Sequence, residues 1–295
     1  MKPRIIFDRS AFHGDHFEAL LGSPLLRLAQ TRQISIYHTA SLIEETASLY
    51  MKEGNRPLLR KQIHFILEIC KDRWLQPTEV MWVKELVELS DQKQTVFVPK
   101  RTRHEMEGVL RGLALDELPI DENDFRETFD AKMNIKQKSK RLRSALVQMR
   151  KDIGQKLKES GKTLSQDKPA FQELVEKHLT EMGTDILMRH LDVHADMKSM
   201  ICDRWAETPS RFPYYTAFAT GMLYAAYYAM TEHSQKIDIN TQMDVEHLTY
   251  LHGTDILVSN DIKFMKSAFD ELWEPKGKRF MTTEQFVGYL QRTAS

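Results

Sequence analysis

Residues 4–8 of the chain are RIIFD and residues 256–261 are ILVSND. In both runs, β-branched or aromatic residues lead into a polar segment that carries an aspartate. This pattern predicts a short buried strand that ends at a turn. Residues 34–37 (ISIY) predict a third strand of the same kind, and residues 278–281 (KRFM) predict a fourth. The two ends of the chain therefore contribute to one predicted sheet.

Each predicted strand is linked to a stretch with helical periodicity, which is typical of βα units and of a parallel sheet. At the last of these junctions, Thr282 and Gln285 have the spacing of a capping box, in which side chain and backbone exchange hydrogen bonds at a helix start. Residues 212–230 are apolar, but they contain five tyrosines and are barely long enough to span a membrane. We therefore predict a buried helix there, and an α/β fold with a central parallel sheet.

Composition narrows the class of protein. The 42 basic and 42 acidic residues cancel, so the charge of the whole chain does not indicate an anionic partner. Cys70 and Cys202 are the two cysteines, which fits a reducing compartment and argues against a cysteine-rich zinc site. The N-terminal residues contain no apolar run of signal-peptide length. These features predict a cytoplasmic protein that does not contact a membrane.

Acidic residues follow the predicted strands. Asp8 ends the first run, Glu44 and Glu45 lie in the helical stretch after the second strand, Asp261 follows ILVSN, and Asp244 lies in the stretch that precedes it. Ligands collect at the carboxyl ends of parallel strands, and carboxylates that converge there repel unless cations or raised pKa values compensate. Carboxylate oxygens suit Mg²⁺ or Mn²⁺, and such ions can activate water for phosphodiester cleavage.

At these positions the sequence resembles the PIN-domain nucleases. The similar segments are IIFD with a hydroxyl residue two positions later, SLIEETASL at 41–49, and NTQMDVEHLTYLHGTDILVSNDIKF at 240–264. The ending FMTTEQFVGYL, at 280–290, is similar to the last strand and helix of that family. The resemblance covers residues 1–50 and 212–293. It implies a PIN-like, three-layer α/β/α domain and a nuclease that depends on Mg²⁺ or Mn²⁺, usually with RNA as substrate.

Carried over by position, the resemblance also assigns site residues. The catalytic, metal-binding acids would be Asp8, Glu45, Asp244 and Asp261. The auxiliary residues would be Ser10, which would orient Asp8, together with Asp255 and Asn260. Glu44 is the alternative second acid, although Glu45 shares a helix face with two leucines of the same stretch and is therefore favoured.

The resemblance predicts the organisation of the chain as well. Residues 1–50 and 212–295 would form the catalytic domain, and residues 51–211 would be a mostly helical insertion. Such an insertion could determine substrate specificity, bind a regulatory protein partner, or cover the active site.

A charge reversal lies inside the predicted insertion. Residues 116–130 contain seven acids and one basic residue, whereas residues 132–162 contain eleven basic residues and two acids. The basic segment predicts contacts with nucleic-acid phosphates, and its alternative interpretation is a solvated face paired with the acidic segment. The candidate nucleic-acid-binding residues are Lys136, Lys138, Lys140, Arg141, Arg143, Arg150 and Lys151.

Together these features predict a metal-dependent nuclease, with an endoribonuclease favoured over a deoxyribonuclease. The alternative is a non-catalytic RNA- or protein-binding module on a degenerate PIN-like fold.

Overall fold

A sheet of four short strands joins the two ends of the chain. The strands are β1 (Arg4–Phe7), β2 (Ser35–Tyr37), β3 (Ile256–Val258) and β4 (Arg279–Met281). Their order is β2–β1–β3–β4 and every neighbouring pair is parallel, which confirms the predicted α/β fold with a parallel sheet. The computed structural model describes residues 2–51, 53–87, 96–117, 155, 159, 171–191, 193–231 and 241–294.

Helices make up most of the rest. Among the described residues they are α1 (Gly14–Leu21), α2 (Leu25–Gln30), α3 (Ala40–Ala47), α4 (Arg56–Cys70), α5 (Thr78–Val87), α6 (Lys100–Leu115), α7 (Phe171–His190), α8 (Ala195–Glu207), α9 (Pro213–Thr231), α10 (Thr241–Thr249), α11 (Phe264–Leu272) and α12 (Thr283–Ala294). Helix α9 confirms the helix predicted from the apolar run. In the part of the chain that the structure describes, no helix combines the length and apolar character needed to cross a membrane.

The register of the sheet determines which side chains share an edge. Phe7 pairs with Val258, and Val258 pairs with Met281. Because the strands are parallel, the residues that follow them emerge at the same carboxyl edge. Asp8 and Ser259 are therefore brought to one place by main-chain pairing alone.

The apolar core beneath this edge fixes the strands. Phe7 is almost fully buried and makes edge-to-face contacts with Phe12 (5.5 Å between ring centroids) and Phe286 (5.4 Å). Burying a side chain of this kind stabilises a fold by about 1.5–3 kcal/mol, and an aromatic pair adds about 0.5–1.5 kcal/mol. The residue next to Phe7, Asp8, is consequently attached to a rigid element.

The predicted capping box at the start of α12 is confirmed. Gln285 Oε1 accepts a hydrogen bond from Thr282 N (3.0 Å), and Thr282 Oγ1 accepts one from Gln285 N (3.3 Å). The two bonds satisfy main-chain donors that a helix start otherwise leaves without partners. Helix α12 therefore begins at a defined residue directly after β4.

Contacts within the chain define two units, which are described separately. Among the described residues, the first unit contains 2–51, 53–81, 96–117 and 250–294, and thus the whole sheet. The second contains 82–87 and the described part of 131–249. The predicted division into a catalytic domain (1–50 with 212–295) and an insertion (51–211) concerns which segments were added to a smaller fold, and it stays a prediction.

A buried carboxylate organises the second unit. Glu85 accepts hydrogen bonds from the main-chain N–H groups of Tyr214 (3.0 Å, to Oε1) and Tyr215 (2.9 Å, to Oε2), at the start of α9. Helix N-termini carry partial positive charge and main-chain donors without helical partners, so a carboxylate is well suited to this position. Nearby, Gly183 leaves room for Trp205, whose ring atom Cη2 would lie 2.0 Å from a Cβ at that position.

Candidate carboxylate site at the sheet edge

Asp8 is the central side chain of the candidate site. Its main-chain N–H donates to Val258 O (2.9 Å), which extends the pairing of β1 with β3 by one residue. The residue is only 8 % exposed. A carboxylate at the carboxyl edge of a parallel sheet lies where α/β proteins usually bind ligands.

Three hydrogen bonds hold one oxygen of Asp8. Its Oδ2 accepts from Ser10 Oγ (2.5 Å), from Ser10 N (3.3 Å) and from Ser259 Oγ (2.8 Å). These are all the hydrogen bonds that the Asp8 side chain accepts from the described residues, so its other oxygen, Oδ1, is the one available to a ligand. The hydrogen bonds to Oδ2 therefore fix the orientation of the carboxylate, and Oδ1 is the oxygen that it offers to a ligand.

The direction of these bonds follows from the turn after β3. Asn260 N donates to Ser10 Oγ (2.8 Å) and Asp261 N donates to Ser259 Oγ (3.1 Å). A hydroxyl group has one proton. Because each serine oxygen already accepts from a main-chain N–H, each can turn its proton toward Asp8. The network thus presents two hydroxyl donors to one oxygen of Asp8.

Ser259 is a site residue that the sequence prediction missed. It is fully buried and donates to Asp8 from a neighbouring strand end. The segment SND that contains it was assigned a role only through Asn260 and Asp261. Its position directly after β3, level with Asp8 after β1, is the pattern that could have identified it.

Glu45, and not Glu44, is brought to Asp8. Helix α3 begins after Thr39, whose hydroxyl accepts from Leu42 N (3.2 Å) and fixes the rotation of the helix. Carboxylate oxygens of Glu45 and Asp8 lie within 4.8 Å of each other. Glu44 is exposed, since adjacent residues on a helix point about 100° apart. The doublet that the sequence left ambiguous thus has one member at Asp8.

Arg9 adds a positive charge to this pair and was also missed. It is 9 % exposed, and its Nη1 donates to Phe12 O (3.4 Å). Burial lowers the pKa of the Arg9 guanidinium, while the carboxylates of Glu45 and Asp8 raise it. Its guanidinium is therefore within electrostatic reach of both carboxylates.

Asn260 links the site to its support. Its Nδ2 donates to Ser10 O (3.3 Å) and to Thr283 Oγ1 (2.8 Å), and its Oδ1 accepts from Thr283 N (3.0 Å). The Nδ2 end of the amide is thus bonded to the turn after Asp8, and both ends are bonded to Thr283, the first residue of α12. Asn260 positions main chain, and its side-chain oxygen is already used by Thr283.

Asp261 lies beside this network and is partly exposed. Its main-chain N–H donates to Ser259 Oγ, and its Oδ1 accepts from Lys263 N (2.8 Å) in a tight turn. The backbone of Asp261 is therefore close to Asp8, and its side chain accepts a hydrogen bond within the turn that follows.

Asp255 is placed elsewhere. It precedes β3, at the amino edge of the sheet, where Arg4 donates to its carboxylate through Nε (3.0 Å) and Nη2 (2.8 Å). The arginine holds the pKa of Asp255 below its usual value. Strand β3 separates the two edges, so the structure does not bring Asp255 to Asp8, and the auxiliary role predicted for it is not carried forward.

Two further groups of predicted residues belong to the second unit or fall outside the described residues. Asp244 lies on α10, which belongs to the second unit, and its predicted metal-binding role stays a prediction. The predicted nucleic-acid-binding residues lie outside the described residues: Lys136, Lys138, Lys140, Arg141, Arg143, Arg150 and Lys151.

The chemistry of the donors fits a small divalent cation. Two oxygen ligands of one Mg²⁺ lie at most about 4.2 Å apart, because each Mg–O bond is about 2.1 Å long. The Asp8 and Glu45 oxygens lie within 4.8 Å of each other, so at most a small adjustment brings them within this limit. Mg²⁺ commonly takes one or two carboxylates and keeps several waters. Comparisons of the chain with models of known protein families, with curated proteins and with solved structures found no match.

Proposed function

We propose that the protein is a Mg²⁺- or Mn²⁺-dependent nuclease with a PIN-like α/β/α domain, and that RNA is its favoured substrate. The observation that carries the proposal is the pair formed by Asp8 and Glu45, whose oxygens lie within 4.8 Å of each other at the carboxyl edge of the parallel sheet. Two carboxylates held this close repel each other, and a divalent cation between them removes the repulsion.

The surrounding residues would prepare the site for such an ion. Ser10 and Ser259 fix one oxygen of Asp8, so that its other oxygen faces the ligand in a single orientation. Asn260 ties the turn after β3 to α12 and so limits movement of Asp261. When bound, a divalent cation supplies Lewis acidity toward the phosphodiester and toward the water that cleaves it. Residues that orient metal ligands in this way commonly change affinity or activity by about 10–100-fold when mutated.

The test uses fluorescently labelled single-stranded RNA and DNA, incubated with the full chain and Mn²⁺ or with EDTA. We expect cleavage with Mn²⁺ only, and RNA cleaved faster than DNA. Asp8→Asn and Glu45→Gln should each reduce the rate by more than about 100-fold, since they remove ligands and not merely their supports. Glu44→Gln is the matched control, because it removes the neighbouring exposed carboxylate and should leave the rate unchanged. Asp244→Asn tests a further one of the four acids that the resemblance names.

Cleavage at the wild-type rate by folded Asp8→Asn protein would contradict the proposal. A wild-type protein that does not cleave, but binds RNA as tightly as the Asp8→Asn variant, would replace it with a non-catalytic RNA-binding module.

A further inference from the structure

A row of charged side chains crosses the amino edge of the sheet, at the end of the strands opposite the candidate site. Arg4 begins β1, and Asp255 and Lys278 directly precede β3 and β4. The parallel register places these three residues level with one another. Arg4 donates to both oxygens of Asp255 (3.0 and 2.8 Å), whereas Lys278 Nζ lies 4.0 Å from Asp255 Oδ1. The acid is therefore used mainly by Arg4, and it offsets the charge of Lys278 only in part.

Lys278 is held in place mainly by main chain. Its Nζ donates to Thr254 O (2.6 Å), and its side chain is only 16 % exposed. An ammonium group has three N–H donors, and the bond to Thr254 is the one that Lys278 Nζ makes among the described residues. Burial lowers the pKa of Lys278, Asp255 raises it, and Arg4 lowers it further. A fixed charge with incomplete compensation favours an anion from outside the chain.

The turn before β4 places a second cation beside this row. Lys276 ends one turn of 3₁₀ helix, and the N–H groups of Lys276 and Lys278 both donate to Trp273 O, at 3.0 and 3.2 Å. Gly277 between them has a φ of +73°, a conformation that suits glycine. The ammonium of Lys276 lies 4.3 Å from the centroid of the Trp273 ring. Among the described residues, no carboxylate lies within ion-pair distance of it.

The outer strand continues the positive charge. Strand β4 is the last strand of the sheet, and its first residue, Arg279, is exposed, with its guanidinium 5.3 Å from the centroid of the Tyr289 ring. We call this group the amino-edge patch, and its four basic residues and one acid are Arg4, Asp255, Lys276, Lys278 and Arg279. Because β4 has three residues, it spans about 10 Å between the patch and the carboxyl edge.

We propose that the amino-edge patch binds the phosphodiester backbone of single-stranded RNA. The choice of RNA rests on the proposed function. Lysine and arginine side chains that neutralise phosphates release counterions, which favours binding. A strand of RNA held at the patch can continue along β4 toward the carboxyl edge, where Asp8 and Glu45 lie. Contacts to phosphates carry no sequence information, so binding at the patch is independent of base sequence.

Charge without apolar surface favours a nucleic acid over an acidic polypeptide. Trp273, the aromatic residue beneath Lys276, is only 3 % exposed. A polypeptide partner usually gains affinity from aromatic or aliphatic side chains buried at the centre of its interface. The patch offers such a partner charge alone, which is sufficient for a phosphate backbone.

The test measures binding of labelled single-stranded RNA to the full chain by fluorescence anisotropy, in EDTA, at a series of salt concentrations. The double variant Lys276→Gln with Lys278→Gln removes two charges. Each lost phosphate contact should reduce the slope of log affinity against log salt by about 0.7, so the slope should fall by about 1.4. Since the two lines meet near about 1 M salt, the affinity at about 0.1 M should fall about 25-fold.

The matched control removes the same number of charges from α6. Lys100→Gln with Arg111→Gln replaces two exposed residues of this helix, which packs on α4. Helix α4 contacts β2, the outer strand on the other side of the sheet from β4. This control should keep the wild-type slope. Lys276→Arg with Lys278→Arg retains both charges and should also keep it.

Asp255→Asn tests the sign of the effect. The amide keeps an oxygen for Arg4 and removes the acid of the patch, so the RNA affinity at about 0.1 M salt should increase about fivefold. A purely structural role for this row of side chains predicts weaker binding in Asp255→Asn. That result would overturn the proposal.

Competitors identify the ligand. Labelled polyglutamate that binds more tightly than RNA, through Lys276 and Lys278, would replace RNA with an acidic polypeptide. Inorganic phosphate should displace RNA no better than chloride at equal ionic strength. Better displacement, from the wild type and not from the double variant, would reduce the patch to a site for a single phosphate group.

The outcomes separate this inference from the proposed function. An unchanged salt slope in the folded Lys276→Gln, Lys278→Gln protein overturns the patch and leaves the nuclease proposal standing. Binding that depends on the patch, in a protein that cleaves no RNA with Mn²⁺, supports the patch and overturns the nuclease.

Discussion

Asp8 in the first unit and Glu85 in the second are both buried carboxylates. They have similar exposure but differ in how their two oxygens are hydrogen-bonded. Asp8 is 8 % exposed and Glu85 is 6 % exposed. Both oxygens of Glu85 are used, one by Tyr214 N and the other by Tyr215 N. The hydrogen bonds that the Asp8 side chain accepts from described residues all reach a single oxygen, Oδ2. Both oxygens of Glu85 thus serve the fold, whereas Asp8 keeps one oxygen for a ligand.

The difference shows that burial alone does not identify a functional acid. Burial raises the pKa of Glu85 to about 7, against the hydrogen bonds from Tyr214 and Tyr215 that lower it. A carboxyl group with a perturbed pKa is often taken as a sign of an active site. Here the group with the raised pKa, Glu85, caps a helix. The candidate ligand, Asp8, is recognised instead by its surroundings: a second carboxylate, an adjacent cation and one oxygen that hydrogen bonds hold in place.

The largest expected effect on stability comes from removing Glu85. Glu85→Ala leaves two buried N–H groups at the start of α9 without their acceptors, and each such group costs about 1–3 kcal/mol. We expect the free energy of unfolding, measured with urea, to fall by about 2–5 kcal/mol. Glu79→Ala, an exposed acid of the same helix, is the control and should change it by less than about 0.5 kcal/mol. A loss for Glu85→Ala no larger than this control would show that Glu85 does not hold α9.

Next in size is a pH dependence that Glu85 should impose. Its folded-state pKa of about 7 lies above the ordinary value of 4.5, so the folded protein keeps a proton that the unfolded chain has lost between these pH values. The stability contributed by this group is therefore complete below about pH 4.5 and is lost as the pH rises through about 7, by roughly 3 kcal/mol.

The measurement is a series of urea titrations between pH 4.5 and 8. The wild type should lose stability relative to Glu85→Gln over this range, because the amide does not titrate. Parallel curves for the two proteins would mean that Glu85 is not protonated in the folded state.

These two carboxylates also show how far the sequence could predict the molecule. The four strands were predictable because apolar, β-branched runs bounded by polar residues have few alternatives to a buried parallel sheet. The position of Asp8 followed, since a residue directly after such a strand must emerge at the carboxyl edge. Helix α12 was predictable from a local capping pattern that involves only Thr282 and Gln285.

Contacts between distant segments were not predictable. The sequence separates Glu85 from Tyr214 by 129 positions, and nothing near either residue indicates the bond. The resemblance assigned Asp255 an auxiliary role in the site, although β3 carries Asp255 and Asp261 to opposite edges of the sheet. Arg9 was overlooked because its surroundings depend on the packing of α3, which no local pattern encodes. Ser259, by contrast, could have been identified from its position directly after β3, level with Asp8 after β1.

A smaller effect should follow from removing the hydroxyl groups that hold Asp8. Ser10→Ala and Ser259→Ala each remove one donor to the same oxygen, so each should lower Mn²⁺ affinity by about 10-fold, within the 10–100-fold typical of groups that orient metal ligands. Because they act on one atom, the double variant should differ from the sum of the two single effects. Calorimetric titration with Mn²⁺ provides the measurement, and Ser267→Ala on α11 is the control. Unchanged affinity in both single variants would show that Asp8 is oriented by other means.

The smallest expected change is the effect of Asp8→Asn on stability. The asparagine side-chain oxygen can still accept from Ser10 and Ser259, and the lost charge removes both repulsion from Glu45 and attraction to Arg9. These terms oppose each other, so we expect the free energy of unfolding to change by less than about 1 kcal/mol.

Glu85→Gln is the matched substitution, and it should lower the free energy of unfolding by more. Its NH₂ group would face a main-chain N–H and leave that N–H without an acceptor, which costs about 1–3 kcal/mol. Urea titrations of both variants, at a pH above 7 where Glu85 is ionised, compare them directly. If Asp8→Asn proved as destabilising as Glu85→Gln, Asp8 would be a structural anchor like Glu85, and its open oxygen would no longer distinguish the two.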